Sequence, residues 1–99
     1  MNYKISEKAK NDLKRLYKWG VLHHGEAQAS KYYAELSESI ELLAAQPELY
    51  PLIEHIQPGC RRCVYGSHSI YYRVQNNGVV RILRILKRED LIKQLSRSC

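Results

Sequence analysis

Ser69-Ile70-Tyr71-Tyr72-Arg73-Val74-Gln75-Asn76-Asn77-Gly78-Val79-Val80-Arg81-Ile82-Leu83-Arg84-Ile85-Leu86 reads as two strands joined by a turn. Asn76-Asn77-Gly78 supplies residue types that tolerate the positive φ of a tight hairpin. Before the turn, Ser69 to Gln75 alternates: Ile70, Tyr72 and Val74 share one face, Tyr71 and Arg73 the other. After it, Val79 to Leu86 is the longest and most apolar run. Both of its alternate sets, Val80, Ile82, Arg84, Leu86 and Val79, Arg81, Leu83, Ile85, are largely apolar. That pattern predicts a central strand, either covered on two sides or with one face left for a partner.

Upstream, Arg61 to Tyr65 forms a further strand, and Gly66-Ser67-His68 a turn. Pro47 to Gly59 holds three prolines and reads as an irregular crossing. Before it, Glu26 to Ala45 carries Ala29, Tyr33, Leu36, Ile40 and Leu43 in one helical stripe. Pro47 disfavours helical geometry at Gln46 and ends that helix. A first helix shows Ala9, Leu13, Leu16, Tyr17 and Gly20 at helical spacing, with Ser6 at its N-cap and its end between Gly20 and Gly25. Tyr3 and Ile5 share one face of a short opening strand, and Asp90 to Leu95 reads as a terminal helical turn.

The predicted class is α+β in the order β-α-α-β-β-β. An N-terminal strand precedes an antiparallel helical hairpin, which packs on a small, mainly antiparallel sheet. The 99 residues are expected to form one domain, since half of them would not leave a viable core. No apolar run approaches the roughly 18 residues of a membrane span, and Met1 to Glu7 lacks a signal-peptide core. The expected location is the cytoplasm, with no membrane partner.

Charge is localised. Arg61, Arg62, Arg73, Arg81, Arg84, Lys87 and Arg88 fall in one segment that holds no acidic residue. Residues 61–99 carry a net +7 and residues 1–60 a net −1, within a whole-chain charge of +6. A pI near 9.3 predicts attraction to an acidic partner.

Candidate chemical motifs are sparse. Three cysteines cannot all pair, and Cys60-Arg61-Arg62-Cys63 lacks the second pair of a zinc site. On a strand, Cys60 and Cys63 would point to opposite faces. Ser67-His68-Ser69 has no nearby Asp to orient an imidazole, and His23-His24 has no carboxylate at ligand spacing. Neither a metal nor a cofactor is expected. Cleavage of RNA would require cations beside the phosphate together with a general acid and base. Arg61, Arg62, Arg81 and Arg84 are candidate cations; Tyr65, His55, Glu54 and His68 are the residual acid–base candidates.

The element order resembles the ParE branch of the RelE/ParE toxins. The residues carrying the resemblance are Ala27-Gln28-Ala29 opening helix two, the series Tyr32, Leu36 and Ile40, and Leu43-Ala44 before Pro47. Gly59-Cys60-Arg61-Arg62, Ile70-Tyr71-Tyr72-Arg73-Val74 and Arg84-Ile85-Leu86 followed by Asp90 extend it over nearly the whole chain. The resemblance implies a non-catalytic type II toxin that inhibits DNA gyrase, with an indirect DNA contact as a further expectation. It also implies a hetero-oligomer with a ParD-like antitoxin that silences it. ParE-like chains commonly end the last strand in Ile-Leu-His, whereas Lys87 stands here; it keeps a cation but removes a group that titrates near neutral pH.

An acidic antitoxin tail would lay an amphipathic helix on apolar surface and add a strand to the sheet edge. Tyr33, Leu36, Ile40, Tyr72, Arg73, Arg81 and Leu83 are the expected antitoxin contacts. Arg61, Arg62, Arg84, Lys87 and Arg88 are the expected target contacts. The alternatives are a RelE-like ribosome-dependent endoribonuclease and a plain nucleic-acid-binding module, with Tyr71 and Tyr72 available to stack on bases.

Overall fold

A computed structural model describes residues 3–87. The strand β1 (Tyr3–Ile5) is followed by helices α1 (Glu7–His24) and α2 (Glu26–Ala45). A 3-10 turn (Pro47–Leu49) leads to strands β2 (Arg61–Tyr65), β3 (His68–Val74) and β4 (Val80–Lys87). The expected order β-α-α-β-β-β is the observed one. The anticipated terminal turn, Asp90 to Leu95, lies outside the described residues.

The sheet runs β1-β4-β3-β2, with β1 parallel to β4 and the other pairs antiparallel. The most apolar strand, β4, is therefore central. Its hairpin with β3 closes through Gln75 N–H to Val79 O at 2.9 Å, and Gly78 takes φ +85° in the turn.

Gly25 alone joins the helices. It ends α1 and starts α2 with φ 89°. The end of α1 at His24 falls within the expected range from Gly20 to Gly25, and Gly20 sits inside the helix against α2. A Cβ there would meet the Ala29 Cβ at 3.2 Å, so its missing side chain lets the helices approach closely. At the other end, Ser6 accepts from Ala9 N–H at 3.1 Å and donates to Leu83 O at 2.9 Å, tying the cap of α1 to β4.

Two apolar clusters hold the layers. Ala9 and Leu13 of α1 and Leu36, Ile40 and Leu43 of α2 meet Cys63, Ile70, Tyr72, Val80, Ile82 and Ile85 beneath the helices. Complete burial of side chains such as Leu36 and Ile40 contributes about 1.5–3 kcal/mol each. On the outer face, Ile53 and Cys60 from the proline-rich crossing cover Tyr71 and Leu86. That crossing is therefore a lid on part of the sheet.

The simple alternation expected of β4 fails at one point. Tyr72 faces Ile82 while Tyr71 faces Arg84, leaving Leu83 as an extra residue, a β-bulge. Val80, Ile82 and Ile85 consequently join the helix-side core, whereas Leu83 and Leu86 join the outer cluster.

Candidate interaction surfaces

Beyond Ile82, β4 has no β1 residue beside it, and Asp12 of α1 occupies that edge. Its carboxylate accepts from Arg84 Nε at 2.8 Å, Arg84 Nη2 at 3.0 Å and the backbone N–H of Ile85 at 3.0 Å. Arg15 adds a fourth contact at 3.1 Å from the solvent side. Asp12 is 4% exposed and Arg84 7%, so the fork between them is an interior strut. The bulge at Leu83 precedes this strut. The expectation that Arg84 belongs to an exposed cation array is corrected: its guanidinium pairs with a buried carboxylate supplied by α1.

The remaining basic residues separate by face. Arg61 lies on the helix side and donates to Tyr50 O at 2.6 Å. Arg62, Arg73 and Arg81 lie on the outer side. Arg73 donates to Pro58 O at 2.8 Å, which pins it to the crossing. Lys87 lies at the end of β4 with its ammonium 3.8 Å from the centroid of the Trp19 ring. His23 stacks on Trp19 with centroids 4.0 Å apart and planes at 15°. Trp19 also lines a cleft of about 200 Å³ with Leu16, Tyr32 and His68. Arg88 lies outside the described residues.

The expected antitoxin contacts divide likewise. Leu36, Ile40 and Tyr72 are 0%, 2% and 0% exposed and cannot meet a partner in this fold. The α2 stripe that carries Leu36 and Ile40 faces the sheet, and Tyr72 of β3 lies in the same core beneath it. Tyr33 remains accessible and packs edge-on against Tyr17, with ring centroids 5.8 Å apart. Both border a groove of about 480 Å³ with Ile5, Lys10, Leu13 and Lys14. Leu83 is half-buried on the outer face, beside the exposed Arg81.

Of the candidate cations, Arg62 and Arg81 stand on the opposite side of the sheet from Tyr65 and His68, whereas Arg61 shares their side and Lys87 pairs with His68 across the strands. Tyr65 donates to Glu35 Oε1 at 2.6 Å on the helix side, a bond that pushes its phenol up to about 12. His68 is buried there too, with its Nδ1 2.7 Å from the Tyr32 hydroxyl. Arg62 and Arg81 face away from both. On the crossing, the Glu54 carboxylate accepts from Gly59 N–H at 2.8 Å, and His55 is exposed. Tyr71 and Tyr72 are both fully buried, so neither offers a stacking surface. Cys60 and Cys63 are buried cysteines on opposite faces. Among the described residues, no group of three His, Cys, Asp or Glu side chains converges as a metal site.

The family model for the ParE toxin of the type II toxin–antitoxin system parDE matches residues 3–92. The chain belongs to the ParE toxin family. It is 39% identical over 85 residues to Toxin ParE1 of Caulobacter vibrioides, covering 85% of each chain. Toxin ParE1 of Mycobacterium tuberculosis is 32% identical over 99 residues, covering 94% of this chain and 96% of that one. A solved chain described as the chromosomal ParDE TA system from P. aeruginosa superposes with a TM-score of 0.76 at 26% identity. That match covers 88% of this chain and 95% of the other. Among the described residues of this ParE-family chain, no helix is long and apolar enough to cross a membrane.

The residues missed in the sequence are Asp12, Lys4 and Trp19. Asp12 stands at a helical position between Ala9 and Leu16, where an acidic residue reads as solvated. Nothing in the sequence pairs it with Arg84, 72 residues away. Lys4 had a signal, since Tyr3 and Ile5 turn it to the opposite face, but its neighbours depend on how β1 pairs.

Proposed function

We propose that this ParE toxin acts by binding DNA gyrase rather than by cleaving a substrate, and that a ParD-like antitoxin silences it. One observation carries the non-catalytic part. Transfer at a phosphate needs cations and proton-transfer groups within hydrogen-bond reach of the same reacting atoms. Here Arg62 and Arg81 face outward, while Tyr65 and His68 lie under the helices. Of the other candidate cations, Arg84 is tied to Asp12 and Arg61 to the Tyr50 carbonyl. The raised phenol of Tyr65 also moves it away from service as a base at neutral pH.

The groove bounded by Lys10, Lys14, Tyr17 and Tyr33 suits the antitoxin. Its floor is Ile5 and Leu13, and two lysines stand at its rim. An amphipathic helix with carboxylates beside its apolar stripe matches both features. Steering by those lysines predicts that Lys10→Glu with Lys14→Glu slows antitoxin association at low salt. The difference should shrink as salt is added.

Induction of the chain in growing bacteria, with DNA and protein synthesis followed together, tests the target. Early loss of DNA synthesis with linearised plasmid is the expected result. Immediate translation arrest with cut transcripts would assign the chain to ribosome-dependent RNA cleavage instead.

A further inference from the structure

A row of cations crosses the outer face of the sheet at right angles to the strands. Lys4 of β1 stands beside Arg81 of β4, and Arg81 stands opposite Arg73 of β3. Arg62 of β2 faces Tyr71, one diagonal step from Arg73. With strands about 4.8 Å apart, the row is about 14 Å long. All four point away from the helices, because Tyr3, Ile5, Val80, Ile82, Tyr72, Val74 and Cys63 take the helix side. Lys4 and Arg81 are exposed; Arg62 and Arg73 are half-buried. Among the described residues, none of the four belongs to an ion pair.

We propose that this row is a track for the phosphodiester backbone of duplex DNA, touched directly by the toxin. Like charges placed side by side on neighbouring strands destabilise an empty sheet, and a polyanion relieves that cost.

The occupant's regularity follows from the geometry. A bound peptide strand runs along a sheet edge and needs pockets for alternate side chains. The row instead crosses every strand, with Lys4, Arg81 and Arg73 side by side and Arg62 one diagonal step on. With Tyr71 and Tyr72 buried, the face has no platform for unstacked bases, so backbone phosphate is the group it can hold. A duplex offers the higher phosphate density. The inference does not depend on gyrase, since it concerns the toxin and DNA alone.

The test titrates the full-length toxin with a labelled duplex of arbitrary sequence at several salt concentrations. Four phosphate contacts give a log–log slope of about −3.6, roughly a hundredfold loss of affinity between about 50 and 200 mM salt. Lys4→Gln with Arg81→Gln should raise the unfolding midpoint slightly, by removing like-charge repulsion, and reduce that loss to roughly tenfold. Lys10→Gln with Lys14→Gln, on the helical hairpin, should leave the slope as it was. No binding to the duplex, or a slope indifferent to Lys4 and Arg81, overturns the proposal. Tighter binding of single-stranded DNA or RNA of the same length overturns the choice of duplex. Preferential capture of a polyglutamate peptide, lost in the Lys4 and Arg81 double variant, would give the face to an acidic protein and overturn it too.

Discussion

Among the described residues, Asp12 and Arg84 form the ion pair in which both side chains are buried. Removing the carboxylate leaves a guanidinium buried without this partner and the Ile85 N–H without its acceptor. Asp12→Ala should therefore cost about 3–5 kcal/mol in denaturant unfolding. Changing both residues, Asp12→Leu with Arg84→Met, should recover part of that loss, because both charges of the buried pair are then removed. Two glycines make a second contrast. Gly66 has φ +56°, and a Cβ there would come within 2.8 Å of the Tyr32 hydroxyl. Gly78 has φ +85° with nothing within 4 Å. Gly78→Ala should cost about 1–2 kcal/mol, the left-handed strain alone. Gly66→Ala should cost more, and should shift the His68 imidazole resonances by displacing Tyr32. Equal losses at the two positions would mean that Tyr32 yields freely.

At the scale of elements, the bulge in β4 decides which side chains face which layer. It lets one strand contribute Ile85 to the helix-side core and Leu86 to the cluster beneath the proline-rich crossing. Ser6 secures this region, since one hydroxyl both caps α1 and donates to the carbonyl of Leu83, the bulged residue. Ser6→Ala should lower stability by about 1 kcal/mol for the cap, with a further loss from the Leu83 carbonyl. Amide exchange at Ala9 and along β4 should accelerate together. Acceleration at Ala9 alone would show that the cap and the bulge are independent. The helical hairpin is simpler. Gly25 closes the link in one residue, and Gly20 against Ala29 sets the distance between axes.

For the whole molecule, tyrosines tie the layers. Tyr3 donates to Glu41, linking β1 to α2; Tyr65 donates to Glu35, linking β2 to α2; and Tyr72 donates to Pro47 O. The Glu35 bond raises the Tyr65 phenol to about 12, and burial raises that of Tyr72 from the usual 10.0. A phenol whose pKa is higher folded than unfolded stabilises the fold fully below the unfolded value. That contribution is lost as pH climbs through the folded value. Stability should thus be flat up to about pH 10 and fall between about 10 and 12. Circular dichroism and tyrosinate absorbance, followed together, should show unfolding and late ionisation as one transition. Tyr65→Phe should remove part of the slope in that window.

Periodicity and turn chemistry alone defined the two helices, the order of strands and the Asn76-Asn77-Gly78 hairpin, because those signals are local. The bounds of α2 and β2 follow from Pro47 and from the alternation around Cys63, both readable without a fold. The division of the basic residues was not readable. Arg81 and Arg84 are three apart in one strand, yet a single extra residue at Leu83 and a carboxylate 72 positions upstream draw Arg84 inward while Arg81 stays exposed. Leu36 and Ile40 looked like a surface for a partner because a stripe records amphipathicity, not what covers it. Lys4 gained its place beside Arg81 only through the parallel pairing of β1 with β4. Local sequence determines which segments become helices and strands; long-range pairing determines which of their side chains remain available to another molecule.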